Sequence, residues 1–233
     1  MSSAPLGRLV VLAALSLLGA CNVVVTKSPL FNAGDEAGAP ALRPGVWLIG
    51  QDGRCRFDER APIDAWPDCA GGAVVKAGEM TGPDKKGKGA WEHEPFVLAA
   101  GDPRILQLRV EESLSVEASA QASGGAEASA SASGGGAAQS YGYAGARPVS
   151  FDAQGQITSL VYWPVMCGPP PPKNAKGEEV AGGTLKPLPG MDMKPGDAVC
   201  TTTSTTALRG AARASKAWTD KPMQARWIRD AAR

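Results

Sequence analysis

Apolar and polar residues alternate with a period of two in several stretches of this chain, and that pattern predicts most of its elements. The clearest case is RILQLRVEE at 104–112, where Ile105, Gln107 and Arg109 face one way and Leu106, Leu108 and Val110 the other. With WEHEPFVLAA (91–100) before it and the turn GDP between, it predicts an antiparallel hairpin. A second hairpin is predicted by YGYAGARPVSFD (141–152) and QITSLVYWPVMCG (156–168), with Gly155 where a left-handed turn residue is needed. GVWLIGQ (45–51) and GGAVVKAGEM (71–80) each read as one strand. Helical spacing comes late: in 202–218, hydroxyl residues suited to an N-cap precede Ala207, Leu208, Ala211, Ala212, Ser215 and Trp218. KPMQARWIRDAAR (221–233), with Pro222 placed for a first turn, reads as a further short helix. Strands first and helix last predict an α+β fold: a mostly antiparallel curved sheet with a C-terminal helix on one face.

Other stretches lack the apolar residues to be packed. Residues 118–138 are Ala, Ser and Gly except for Gln121 and Glu127, and such text cannot offset its ordering entropy, so a flexible insertion is expected there. Residues 22–42 show no sustained periodicity and read as a tether, leaving 43–233 as a single domain. The four prolines at 169–172 predict a stiff polyproline loop; a recognition peptide is the sharper but less economical reading.

Upstream, the run from Leu9 to Leu18 follows a short segment charged only at Arg8. Spanning a bilayer takes about 20 apolar residues, so this run has the length of a signal-peptide core instead. Leu18-Gly19-Ala20-Cys21 resembles the lipobox of bacterial lipoproteins. The resemblance implies cleavage of residues 1–20, diacylglycerol on the Cys21 sulfur and acylation of the new amino group. Asn22, in place of the aspartate that resembles an inner-membrane retention signal, implies an outer-membrane protein facing the periplasm.

Export changes the cysteine count. With Cys21 lipidated, Cys55, Cys69, Cys167 and Cys200 remain, an even number in an oxidising compartment. The local pairing, Cys55 with Cys69 and Cys167 with Cys200, is expected. Cys69 with Cys167 would follow instead if the two Trp-Pro corners, WPDC at 66–69 and WPVMC at 163–167, touch. No C-x-x-C pair occurs, so no metal site is expected. Loss of residues 1–20 removes one base, Arg8, and leaves 23 basic and 23 acidic side chains, a balance that gives no field to steer nucleic acid.

Candidate chemistry is sparse. The single histidine, His93, lies between Glu92 and Glu94, which on a strand share the opposite face, so the tripeptide makes a poor metal trio and an exposed strand histidine is expected. No G-x-S-x-G elbow accompanies it, no pair of acids stands out, and no phosphate-cradling glycine motif follows a strand. No catalytic residue, metal or cofactor is therefore assigned. One surface could bind: Arg209, Arg213, Lys216, Trp218, Arg226, Trp227 and Arg229 interleave cations with indoles and could meet anionic lipid or an envelope polymer. The plainer alternative is a solvated helix face with cations near its C-terminal end. Tyr141, Tyr143, Tyr162 and Trp163 read as cross-strand packing.

Gly45-Val46-Trp47 is similar to the G-x-W opening strand of the lipocalins, which implies an eight-stranded barrel carrying an apolar ligand. In style the chain also resembles small envelope lipoproteins of no assigned activity. The expected function is non-catalytic: a lipoprotein fixed to membrane lipid through Cys21, displaying a disulfide-stabilised domain to an envelope protein or polymer. Carriage of a small apolar ligand, and further off a periplasmic hydrolase, are the alternatives.

Overall fold

A computed structural model describes residues 22–50, 55–67, 69–83, 91–111, 139–171, 186–194 and 199–231. The predicted signal segment with Cys21 and the predicted insertion at 118–138 lie outside the described residues.

The sheet closes on itself. Strands β2 (Gly45–Ile49), β3 (Gly71–Lys76), β4 (Glu79–Pro83), β5 (Trp91–Ala99), β6 (Arg104–Glu111), β7 (Gln139–Phe151) and β8 (Ile157–Pro164) pair antiparallel in chain order, and β10 (Met223–Arg229) joins β8 to β2. The eight strands form an up-and-down barrel, more specific than the expected curved sheet, and closure leaves none of them an open edge. Between β8 and β10 come the two-residue β9 (Val199–Cys200) and helix α1 (Thr205–Trp218), capped by Ser204, whose hydroxyl accepts from Ala207 N.

Two predicted elements take other forms. The single strand expected at 71–80 is a hairpin, because the two-residue turn at Ala77-Gly78 needs positive φ and Gly78 supplies it at 68°. The helix expected from Pro222 is strand β10: Met223, Ala225 and Trp227 join the barrel core while Ile228 joins an outer cluster, a period of two that no helix satisfies. Pro222 stands just ahead of the strand, where its missing N–H costs no ladder bond.

Residues 22–42, expected as a tether, are packed. Strand β1 (Val23–Thr26) pairs with β7 and β9, and Asn22 is only 2% exposed. Gln107 fastens the next turn, its Oε1 accepting from Leu30 N and Phe31 N and its Nε2 donating to Phe31 O, all at 2.9 Å. Buried Arg104 donates to Pro40 O and Leu98 O, and Glu36 accepts from Leu98 N. Burial lowers the Arg104 pKa, and the neighbouring Glu36 carboxylate opposes that shift. Val24 and Phe31 join the helix-side core, and Gln107 and Arg104 of β6 hold the segment by hydrogen bonds that sequence spacing does not display.

Three apolar layers result. The barrel interior holds Trp47, Phe96, Leu98, Leu160 and Tyr162 with Leu106, Leu108 and Trp227, so large side chains occupy it. Outside β2, β3 and β10, Val46, Leu48, Ile63, Trp66 and Ala70 form a loop-side cluster stapled by Cys55–Cys69. Outside β5, β6 and β7, Phe31, Ile105, Tyr143, Leu208, Ala211 and Ala212 form a helix-side cluster stapled by Cys167–Cys200. The local disulfide pairing thus holds, and the two Trp-Pro corners sit on different sides of the barrel. By the chain-entropy argument such loops, with separations of 14 and 33 residues, are worth about 3 and about 4 kcal/mol.

Candidate functional site

On the helix side, the turn between β5 and β6 rises against α1. Arg213 Nε donates to Asp102 O at 3.0 Å and Arg209 Nη1 to Pro103 O at 3.4 Å, with the Arg209 guanidinium 5.0 Å from the Phe31 ring centre. Between this turn, α1 and β7 lies a shallow cavity of about 180 Å³, lined by Asp102, Pro103, Arg147, Trp163, Arg213 and Lys216. Trp163 is its floor, 1% exposed, with the indole N–H given to Ala212 O at 2.7 Å. The indole lies against β7 at Gly145, where any Cβ would come within 2.6 Å of it. Glycine at that position is what lets the tryptophan lie flat and α1 approach.

The electrostatics of this groove are one-sided. Three cations and one carboxylate line it. Among the described residues the Arg147 guanidinium makes no hydrogen bond or ion pair, Lys216 touches only the Trp163 ring face at 5.6 Å, and Arg213 commits one N–H to a carbonyl. Guanidinium forks and an ammonium converging on a concave surface suit a phosphate or carboxylate. The lining contains no hydroxyl, thiol or imidazole; its titratable groups are the Asp102 carboxylate and the Lys216 amine.

The predicted binding surface divides here. Arg209, Arg213 and Lys216 stand around the groove, while Arg226, Trp227 and Arg229 belong to β10 and are occupied elsewhere. Arg226 pairs with Glu59, holding that carboxyl below the usual range, and Arg229 donates to the carbonyls of Glu59 and Ala61. Trp227 gives its N–H to Pro44 O at 3.0 Å beneath the Arg43 guanidinium, and Trp218 is half-buried at the end of α1. Arg147, central to the groove, carried no signal in the sequence: it is one polar position within a strand, and only folding brings it to the helix.

Other candidates fall into place. Exposed His93 has Nδ1 2.6 Å from Glu79 Oε1 and 3.4 Å from Thr81 Oγ1. Both contacts fall on one ring nitrogen, whereas a catalytic relay needs the acid on one nitrogen and the nucleophile on the other. Among the described residues no three His, Cys, Asp or Glu side chains gather as for a metal, and no helix is long and apolar enough to cross a membrane. Tyr143 bonds Thr26 at 2.5 Å, and burial raises its phenol pKa. Tyr162 packs in the barrel core with no hydrogen-bond partner for its hydroxyl among the described residues, and burial raises its pKa strongly. No protein family, no curated protein and no solved structure matches the chain.

Proposed function

We propose that this chain is a non-catalytic envelope lipoprotein, held at the outer membrane through acylated Cys21, whose barrel is a rigid scaffold for binding an anionic envelope component at the helix-side groove. The observation that carries this reading is the set of cations Arg147, Arg213 and Lys216 around Trp163, none of them ion-paired among the described residues. Three cations and one carboxylate face the cavity, which leaves it a local excess of positive charge. Confinement by the anchor raises the local concentration of the groove near its partner, so moderate affinity suffices.

The unpartnered Tyr162 hydroxyl favours a second reading, carriage of a small ligand in the barrel. Large side chains already occupy that interior, which supports the first reading over it. Native mass spectrometry of the protein gently extracted from its own membranes tests both. A chain beginning at acylated Cys21 and arriving without a small apolar passenger is expected. An unmodified or different first residue would overturn the anchor, and a retained apolar mass would put the carrier first.

A further inference from the structure

We infer that the helix-side groove docks on the anionic phospholipid headgroups of the membrane that holds the anchor, the headgroup's uncompensated phosphate being received between Arg147, Arg213 and Lys216. This rests on the reading of Cys21 as the acylated residue. Its independent support is that the chain has no slack after that residue. Asn22 is 2% exposed, gives Nδ2 to Gly168 O at 2.7 Å and accepts Cys167 N at 2.8 Å, and the strand that follows is laced into the sheet. Successive Cα atoms lie about 3.8 Å apart, so an anchor on Cys21 is a single residue step from the buried Asn22.

The exit point and the groove belong to the same layer. Cys167 bonds Asn22; its neighbour Met166 donates its N–H to Ser215 Oγ at 2.8 Å; and Ser215 precedes Lys216. Two hydrogen bonds and two peptide steps therefore link Asn22, the residue after the anchor, to a groove cation. A barrel held this closely presents its helix side to the bilayer. Exposed Arg147, Arg213 and Lys216 then come within the roughly 8 Å over which an anionic leaflet attracts cations at physiological salt. On the loop side, by contrast, Arg226 and Arg229 are engaged by the Glu59–Ala61 segment.

Residue-specific lysine labelling tests the docking. The native acylated protein is reconstituted on vesicles of phosphatidylcholine alone, on phosphatidylcholine with phosphatidylglycerol, and kept in detergent with inorganic phosphate. Labelling of Lys216 by an amine-acylating reagent is read by peptide mass spectrometry against exposed Lys76 on β3. Several-fold slower labelling of Lys216 on the phosphatidylglycerol vesicles alone is expected, abolished by Arg147→Glu, a change that removes no hydrogen bond or ion pair among the described residues. Equal labelling on both vesicles would overturn the docking. Equal protection by inorganic phosphate in detergent would overturn it too, and assign a free-phosphate site. The intact mass of the same sample reports Cys21 separately: without acylation the anchor reading and this docking both fall, whereas an acylated chain with unprotected Lys216 sinks the docking alone.

Discussion

The two outer layers of the barrel are built from the same parts and end in opposite states. Each has a tryptophan from a Trp-Pro corner, a disulfide and arginines. On the loop side, Arg226 meets the Glu59 carboxylate and Arg229 caps the carbonyls of Glu59 and Ala61, so the cations close the 55–61 segment over Trp66. On the helix side, Arg209 and Arg213 meet backbone carbonyls of the Asp102-Pro103 turn, Arg147 meets no partner among the described residues, and a groove remains. Whether a basic residue becomes mortar or a binding group is decided by what faces it after folding, not by its spacing in the chain.

If both layers are stapled alike, removing either disulfide must hurt, and the longer loop more. Replacing Cys167 and Cys200 by Ala is expected to cost about 4 kcal/mol and replacing Cys55 and Cys69 about 3, measured from urea midpoints. A reversed order would break the equivalence of the two layers. The helix side also depends on the N-terminal segment that β6 clamps. Gln107→Ala leaves the N–H groups of Leu30 and Phe31 unpaired near a buried surface and should cost about 2 kcal/mol, with cleavage by proteases near residue 30 appearing at the same time.

The smallest effects separate mortar from binding group. Arg226→Ala should lower stability by under about 1 kcal/mol, since the pair with Glu59 is largely solvent-exposed, whereas Arg147→Ala should leave the urea midpoint unchanged. The pH dependence follows the same sign. Glu59 titrates lower in the folded chain than in the unfolded one, so its contribution is present above the ordinary carboxylate range. It is lost as pH falls through the lowered folded value. In Arg226→Ala that acid-side loss should shrink; an unchanged acid profile would show that the pair does not hold the loop.

Much of the barrel was legible because alternation survives translation into structure. Leu106 and Leu108 against Ile105 and Gln107, and the β7–β8 pair with Gly155 at φ 77°, are readable as text. Closure was not. The closing strand β10 follows Pro222 and carries charged residues, which together imitate a helix start, and its alternation of Met223, Ala225 and Trp227 is only three residues deep. The N-terminal segment hid for a different reason: what holds it are Gln107, Arg104 and Tyr143, side chains distant in sequence. The groove was half visible, in Arg213 and Lys216, and its third cation waited for β7 to pass beside α1.

Hydrogen exchange of the native acylated protein, compared between detergent and phosphatidylglycerol-containing vesicles, tests the contrast between the two sides most directly. Slower exchange is predicted for peptides covering 101–104, 145–149 and 209–218, with 55–66 unchanged. Protection of 55–66 with none on the helix side would show that the closed layer, not the open groove, is the face this protein turns to its membrane.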